Sequence, residues 1–389
     1  MSHLEVRVID SLDRMADVRP HWNHLSDRAF RPTVFSSWEW QYLAAKYIAE
    51  DQTILVPAVY DDDTLVAVLP LRQGRMRLGG MVPVDVLCCL GGAVTDYNPL
   101  LVDESRKSGV IPVLAEYLRG KNRPIQMENV LPGSALDSLG AYLTMHGFRK
   151  AEYESKTALR SEVGDDYETF MKTRTRKFRK TLRDNQNYMD RTGGYTYHTE
   201  NPSEELLETL IRLHSSRWQL KGETGALAQR QIINLHLDLM TMNDRTFDIR
   251  YYTIRHEGSI IAILYGFLLN ETFYAYLSGF DMRHNRISPG NMVFNHCIRE
   301  LHTSGARAFD MLRGDMKYKQ TWATAAIPMI DAVYFPPTGM GRLLHATMKT
   351  IQGAKRALPT PIKQKVKAVL SGRPTAIPAS HRAPDSDDA

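Results

Sequence analysis

The sequence predicts a mixed α/β chain made of two similar units followed by a basic tail. Three observations predict it. The length of 389 residues exceeds what a single hydrophobic core usually organises. The stretch AVYDDDTLVAVLP (58–70) lies over TIRHEGSIIAILY (253–265) without a gap, each reading as strand, polar turn and apolar strand. From 332 to 384 there are nine Lys or Arg and no Asp or Glu, so the net charge of +5 lives in the tail and the body is near neutral.

The elements around the two hairpins agree in kind. LEVRVID opens the first unit as a strand, and apolar positions around Trp22 and Leu25 and then SSWEWQYLAAKYI give two helices. GYTYH opens the second unit. NPSEELLETLIRLHSSRW and AQRQIINLHLDLMTM then give its two helices. In NPSE, Asn201 is the expected cap, with Pro202 in the first turn and Glu204 completing a capping box. After each hairpin come strand, helix, strand, short helix and strand, so each unit reads β-α-α-β-β-β-α-β-α-β. The expected units are 1–155 and 166–337, joined near Ser155 to Asp166, with 338–389 as a basic amphipathic and then disordered tail.

Composition excludes several classes. The longest apolar run, Ile260 to Leu269, is too short to span a bilayer and reads as a buried strand. The start MSHLEVRVID has neither a basic n-region nor an apolar h-region, so a cytoplasmic location is expected. Cys88, Cys89 and Cys297 are read as buried free thiols. The thirteen histidines show no ligand pair, and no metal is expected.

Candidate chemistry concentrates in the second unit. In ETFYAYLSGFDMRHNRISPGNM, alternation puts Tyr274, Tyr276 and Ser278 on one strand face and Phe273, Ala275 and Leu277 on the other. Asp281 ends the strand, Arg283, His284 and Arg286 make a basic loop, and Ser288-Pro289-Gly290 opens a helix. Ser288-Pro289-Gly290 reads either as an ordinary helix start or, with free N–H groups beside arginines, as a seat for an anion such as a pyrophosphate. In AFDMLRGDMKYKQTW, Asp310 sits mid-strand, where an unpaired carboxylate is costly. It either pairs with an arginine such as Arg313 or serves as a base. The run KTRTRKFRKTLR packs Phe178 and Leu182 and turns Arg174, Lys177, Lys180 and Arg183 outward, as a solvated face or toward an anionic partner.

HSSRWQLKG, YLSGFDMRHNRISPGNM and FDMLRGDMKYKQTW resemble the marks of the CelD/BcsL-type bacterial acyltransferases of the GNAT superfamily, with FSSWEWQYL, AVLPL and DYNPLLVD as weaker matches. The resemblance covers about residues 20–335. It implies two tandem GNAT-like domains, relatives of the Fem peptidyltransferases, and acyl-CoA-dependent transfer to an amine or hydroxyl of a sugar-based acceptor in exopolysaccharide, cellulose or envelope synthesis. It further implies acyl-CoA held by Ser278, Gly279, Arg286, Ser288, Pro289 and Gly290, with backbone N–H groups of Ser278 to Phe280 facing the oxyanion. Asp281, Asp315 and Tyr318 are candidates for the proton, and Arg217, Tyr276, Arg313 and Lys319 for the substrate. The first unit, where GGAVTDYNP replaces the Ser-Pro-Gly loop, is expected to be degenerate and to offer Asp96 and Tyr97 to the acceptor.

Two alternatives stand beside this reading: a Fem-like transferase using aminoacyl-tRNA, and a non-catalytic scaffold. Nucleic acid is otherwise not expected as a partner, because no reader motif accompanies the basic run. The tail, with Ile362, Val366, Val369 and Leu370 beside lysines, is read either as a solvated linker or as a segment that gives peripheral contact with the inner membrane.

Overall fold

The computed structural model describes residues 4–357 apart from 81, 154, 165, 220–226 and 228. The apolar stripe Ile362 to Leu370 lies outside the described residues. The first half runs β1 (Leu4–Ile9), α1 (Leu12–Asp17), α2 (Arg19–Ser26), α3 (Trp38–Tyr47), β2 (Ile54–Asp61), β3 (Thr64–Val68), β4 (Leu71–Leu78) and β5 (Val82–Cys89). It continues through β6 (Leu101–Val102), α4 (Lys107–Gly120), β7 (Ile125–Val130), α5 (Ala135–Met145) and β8 (Arg149–Glu152). The segment expected to join the halves carries a strand, β9 (Thr157–Glu162), before α6 (Tyr167–Lys172) and α7 (Arg176–Thr192).

The second half continues as β10 (Tyr195–Glu200), α8 (Glu204–Gln219), α9 (Arg230–Thr241), β11 (Asp248–His256), β12 (Ser259–Leu269) and β13 (Thr272–Phe280). A 3-10 segment (Met282–Ile287) leads into α10 (Pro289–Thr303), β14 (Ala308–Arg313), α11 (Lys317–Trp322), β15 (Ala325–Pro328), β16 (Ile330–Phe335) and α12 (Gly339–Ala357).

The internal repeat is visible in hydrogen-bond register. Both hairpins turn on two residues, Asp62-Asp63 and Glu257-Gly258, with Asp62, Glu257 and Gly258 at positive φ. In each, the ladder slips past one residue: Val66 between the Val59–Ala67 and Tyr60–Leu65 pairs, and Ile261 between Ile254–Ala262 and Arg255–Ile260. Such bulges re-aim a strand. The repeat continues across Pro70: Ile54–Arg72 and Leu55–Leu71 correspond to Ile249–Phe267 and Arg250–Gly266. A proline thus splits into β3 and β4 what the second half keeps as one strand.

Two mixed sheets result, ordered β6-β3-β2-β4-β5-β7-β16-β8, with β1 beside β2, and β10-β11-β12-β13-β14-β9-β15. The last strands are exchanged. β9 leaves the first half to sit between β14 and β15, and β16 returns to sit between β7 and β8. The halves are further joined by one apolar cluster in which Val34, Phe35, Trp40, Leu43 and Tyr97 pack with Tyr251, Tyr265, Phe267 and Tyr274. Each ring so buried contributes about 1.5–3 kcal/mol. Separate cores lie under α4 and α5 and under α7 and α10.

Two local expectations need correction. The cap of α8 is Ser203, whose hydroxyl accepts from Leu206 N–H at 3.3 Å, because the helix begins two residues after Pro202. The strict alternation along β13 fails at Tyr276, which is the extra residue between the Tyr265–Leu277 and Gly266–Ala275 pairs. Tyr276 and Leu277 therefore both pack on the side of Tyr274.

Candidate active site

β13 and β14 are parallel for only three pairs, Thr272–Ala308 to Tyr274–Asp310, and then part. The bulge at Tyr276 turns β13 away on one side. On the other, Leu312 and Gly314, at φ 59° and 106°, turn β14 out. Lys319 fixes that exit from within. Its ammonium donates to the carbonyls of Met311 at 2.6 Å and Arg313 at 2.8 Å, and burial pushes its pKa down to about 8. Lys319, expected to meet the substrate, thus has its ammonium engaged as an internal staple.

The gap opens on a cleft of about 200 Å³. Ser278 and Phe280 of β13 line one wall, Ser288 to Asn291 the floor, and Phe294 and Tyr318 the far wall. Ser288 adopts a left-handed conformation (φ 50°, ψ 61°), and Pro289 takes the first helical position of α10. Asn185 Nδ2 donates to the Ile287 carbonyl at 2.8 Å, tying this turn to α7. A Cβ on Gly290 would stand 3.3 Å from the Phe280 ring, so glycine keeps the floor open. The N-terminal end of a 15-residue helix at the cleft floor is an electrostatic match for an anion.

The expected residues divide into three groups. Ser278, Ser288, Pro289, Gly290 and Tyr318 meet in the cleft, Tyr318 with its ring 5.7 Å from that of Phe294. Gly279 lies behind the wall, where a Cβ would press within 2.8 Å of Leu213 and His214 on α8. Arg286 turns away to stack over Tyr188 of α7 at 4.9 Å, beside Asp184. Asp281 caps the 3-10 segment through Arg283 N–H at 2.9 Å. Hydrogen bonds from the Arg283 side chain at 2.6–3.1 Å hold its carboxyl below the usual range. Asp315 is exposed on the loop before α11 and outside the cleft lining. The Arg217 side chain lies outside the described residues.

The third group forms a lock between the halves instead of a substrate wall. Arg313 ion-pairs with Asp96 and donates to Asn129 Oδ1 at 2.6 Å and the Ala93 carbonyl at 2.7 Å. Asp310 does not pair with Arg313. The Tyr97 hydroxyl donates to both its oxygens at 2.9 and 3.1 Å, and Leu312 N–H donates at 2.8 Å. Burial still pushes the Asp310 carboxyl up to about 6. Tyr276 Oη donates to the Val94 carbonyl at 2.9 Å.

In the basic run, Phe178 and Leu182 are buried as expected, but Arg174 is not outward. It donates to the Trp322 and Ala323 carbonyls at 2.6 and 2.8 Å, closing the end of α11. The sequence reading missed Asn285, Asn291 and Phe294 in the cleft. Their signal was their spacing: Asn291 and Phe294 are three apart and share the face of α10 that Ser288-Pro289-Gly290 opens.

Residues 176–320 match the acetyltransferase (GNAT) domain family. The second half has a GNAT fold. No curated protein matches the sequence. Among solved structures the chain is similar to FemX, with a TM-score of 0.62 at 12% identity over 88% of this chain and 100% of that one. It is also similar to the C-terminal domain of a putative lysylphosphatidylglycerol synthetase from Agrobacterium fabrum (TM-score 0.51, 12% identity, 87% and 96% covered). L-PGS from Bacillus licheniformis gives a TM-score of 0.50 at 13% identity, with 91% and 97% covered. At these identities the likeness is one of fold. Among the described residues no group of three metal-ligating side chains occurs, and no helix is long and apolar enough to cross a membrane.

Proposed function

We propose that the protein transfers an acyl group from acyl-CoA to an amine or hydroxyl of a sugar-based acceptor in the cell envelope, in the manner of the CelD/BcsL-type acyltransferases it resembles. The observation that carries this reading is the cleft where β13 and β14 part over the N-terminus of α10, inside the segment that matches a GNAT domain. The pyrophosphate would meet the N–H groups of the first turn, and the thioester would lie between the strands. The acceptor nitrogen or oxygen attacks the thioester carbonyl, the carbon–sulfur bond breaks, and CoA leaves as a thiolate. Tyr318, which lines the cleft, would protonate that sulfur. The acceptor's own proton then restores the Tyr318 phenol. Polysaccharide or cellulose synthesis at the cytoplasmic face of the membrane is the setting this acceptor class suggests.

A second reading has its own support. The cleft floor is tied to α7, whose exposed Arg176, Lys177, Lys180 and Arg183 make a basic face extending from the cleft. Such a face suits the phosphate backbone of an aminoacyl-tRNA. Thermal shift and calorimetry with acetyl-CoA, CoA and charged tRNA separate the two. Stabilisation by acetyl-CoA at micromolar concentration, and none by charged tRNA, is the expected result. A response to charged tRNA alone moves the donor to the second reading, and a response to neither leaves a binding scaffold.

A further inference from the structure

Past Tyr274 and Asp310, β13, which lines the cleft, and β14, which leads to Tyr318 on its far wall, share no ladder bonds. Beyond that point β13 stays laddered to β12 as far as Phe280 and β14 meets β9 at Arg313–Ala158, and both strands are bonded as well to one loop of the first half. On the β13 side the contact is Tyr276 Oη to the Val94 carbonyl at 2.9 Å. On the β14 side it is Tyr97 Oη to Asp310, together with Arg313 to Asp96 and to the Ala93 carbonyl at 2.7 Å.

The loop is itself held from behind. Trp40 Nε1 donates to Thr95 Oγ1 at 2.9 Å, Asn129 Nδ2 donates to the Thr95 carbonyl at 3.1 Å, and Asn98 Nδ2 donates to the Glu128 carbonyl at 2.8 Å. Thr95 is fully buried, and Tyr97 and Asn98 are 3% exposed. A loop so anchored at Thr95 and Asn98, on either side of Asp96 and Tyr97, has little slack with which to follow one strand while releasing the other. Removing one partner of the Asp96–Arg313 pair would strand a charge in a poorly solvated site, which opposes local release.

We infer that the loop Gly91–Asn98 of the first half sets the separation of β13 and β14, with Asp96, Tyr97 and Tyr276 as positioning residues for the cleft of the second half. This rests on the proposed function only for what the cleft holds; the spacing of its two strands stands on the bonds above. A loop that merely glued the halves would make each contact independent. A loop that sets the gap makes the two strands respond together, although they do not bond to each other.

Amide hydrogen exchange on the full-length protein reads that difference without a ligand. Tyr276→Phe cuts only the bond on β13, and it is expected to speed exchange by about tenfold or more at 311–316 as well as at 276–281. Tyr97→Phe keeps its ring in the core and is expected to do the reverse. Asp96→Asn serves if either variant fails to fold. Tyr153→Phe, whose hydroxyl bonds Glu128 in the first half at 2.7 Å, is expected to change neither strand. Faster exchange confined to the strand whose own bond was cut overturns the inference, as does a uniform rise through α4, α5 and α10.

Calorimetry with acetyl-CoA adds the functional readout: Tyr97→Phe, outside the cleft, is expected to weaken binding about tenfold at unchanged melting temperature. Wild-type affinity for acetyl-CoA in that variant, with wild-type exchange, also overturns the inference. If the wild type itself ignores acetyl-CoA, the proposed donor fails while the exchange result still decides the loop's role.

Discussion

The two halves share a hairpin, a bulge and a strand register, and they diverge past the fourth strand. In the first half, Cys88 pairs in parallel with Gln126 and the chain leaves β5 through Leu90 and Gly91 into the loop that grips the other half. In the second, Tyr274 pairs with Asp310 in the matching place. The chain then runs on through Ser278 and Phe280 to Ser288 and the start of α10. The same scaffold thus carries a clamp in one half and an anion-facing cleft in the other. Fold repeats because burial repeats; chemistry does not, because it sits in the strand-to-helix connection, which the core does not constrain.

The comparison breaks most sharply if a hydroxyl is removed from each half. Tyr318→Phe keeps the ring against Phe294 and removes the proton proposed for the leaving thiolate. Transfer from acetyl-CoA is expected to fall about 10²-fold with affinity for acetyl-CoA unchanged. Tyr153→Phe in the first half is expected to leave the rate as it is. Steady-state kinetics on both variants checks this, and equal losses would mean that the halves do not divide the work.

A smaller effect is expected at the helix starts. Gly290→Val puts branches against Phe280 where the donor's pyrophosphate would lie, and should weaken acetyl-CoA binding about tenfold by calorimetry. Gly109→Ala in α4, where a Cβ meets only Leu4 at 3.4 Å, should leave binding unchanged.

Much of this was legible in the sequence. The gap-free match of 58–70 with 253–265 gave the repeat because hairpins are specified locally, by turn residues and alternation. Ser288-Pro289-Gly290 gave the cleft floor for the same reason. The exchanged strands β9 and β16 were not legible, since short strands carry no mark of the sheet they join. Nor was the partner of Asp310. A mid-strand aspartate announces that something must satisfy it, but nothing near 310 points to Tyr97, 213 residues away. Asp96, Tyr97, Tyr276 and Arg313 were read as facing the substrate, and the polar contacts the structure gives them are to groups of the opposite half.

The buried Asp310 carboxyl at the lock sharpens the comparison through pH. Asp310 has a folded pKa of about 6, above its ordinary value of 3.8, so the folded protein binds the extra proton between those limits. Stability from this group is therefore gained as pH falls from 7 toward 4 and lost as pH rises through 6. Between pH 7 and pH 5 the wild type should gain about 1 kcal/mol relative to Asp310→Asn, read from urea midpoints at the two pH values.

The smallest effect is expected at Asp315. Asp315 lies three residues before Tyr318, the spacing that brings two side chains together within one helix. The helix, however, begins at Lys317, so Asp315 sits on the preceding loop and exposes its carboxylate. Its backbone carbonyl, not its side chain, is the bonded group, accepting from Gln320 Nε2 at 2.8 Å. Asp315→Asn preserves that contact and should shift stability by less than about 0.5 kcal/mol. With the carboxylate outside the cleft, turnover should change by no more than about twofold. A loss near 10²-fold at unchanged melting temperature would put Asp315 beside the reacting group and require the loop 314–316 to close over the cleft when donor and acceptor bind. The proton relay would then belong to the wall beyond β14, and the division of labour between the halves would sharpen further.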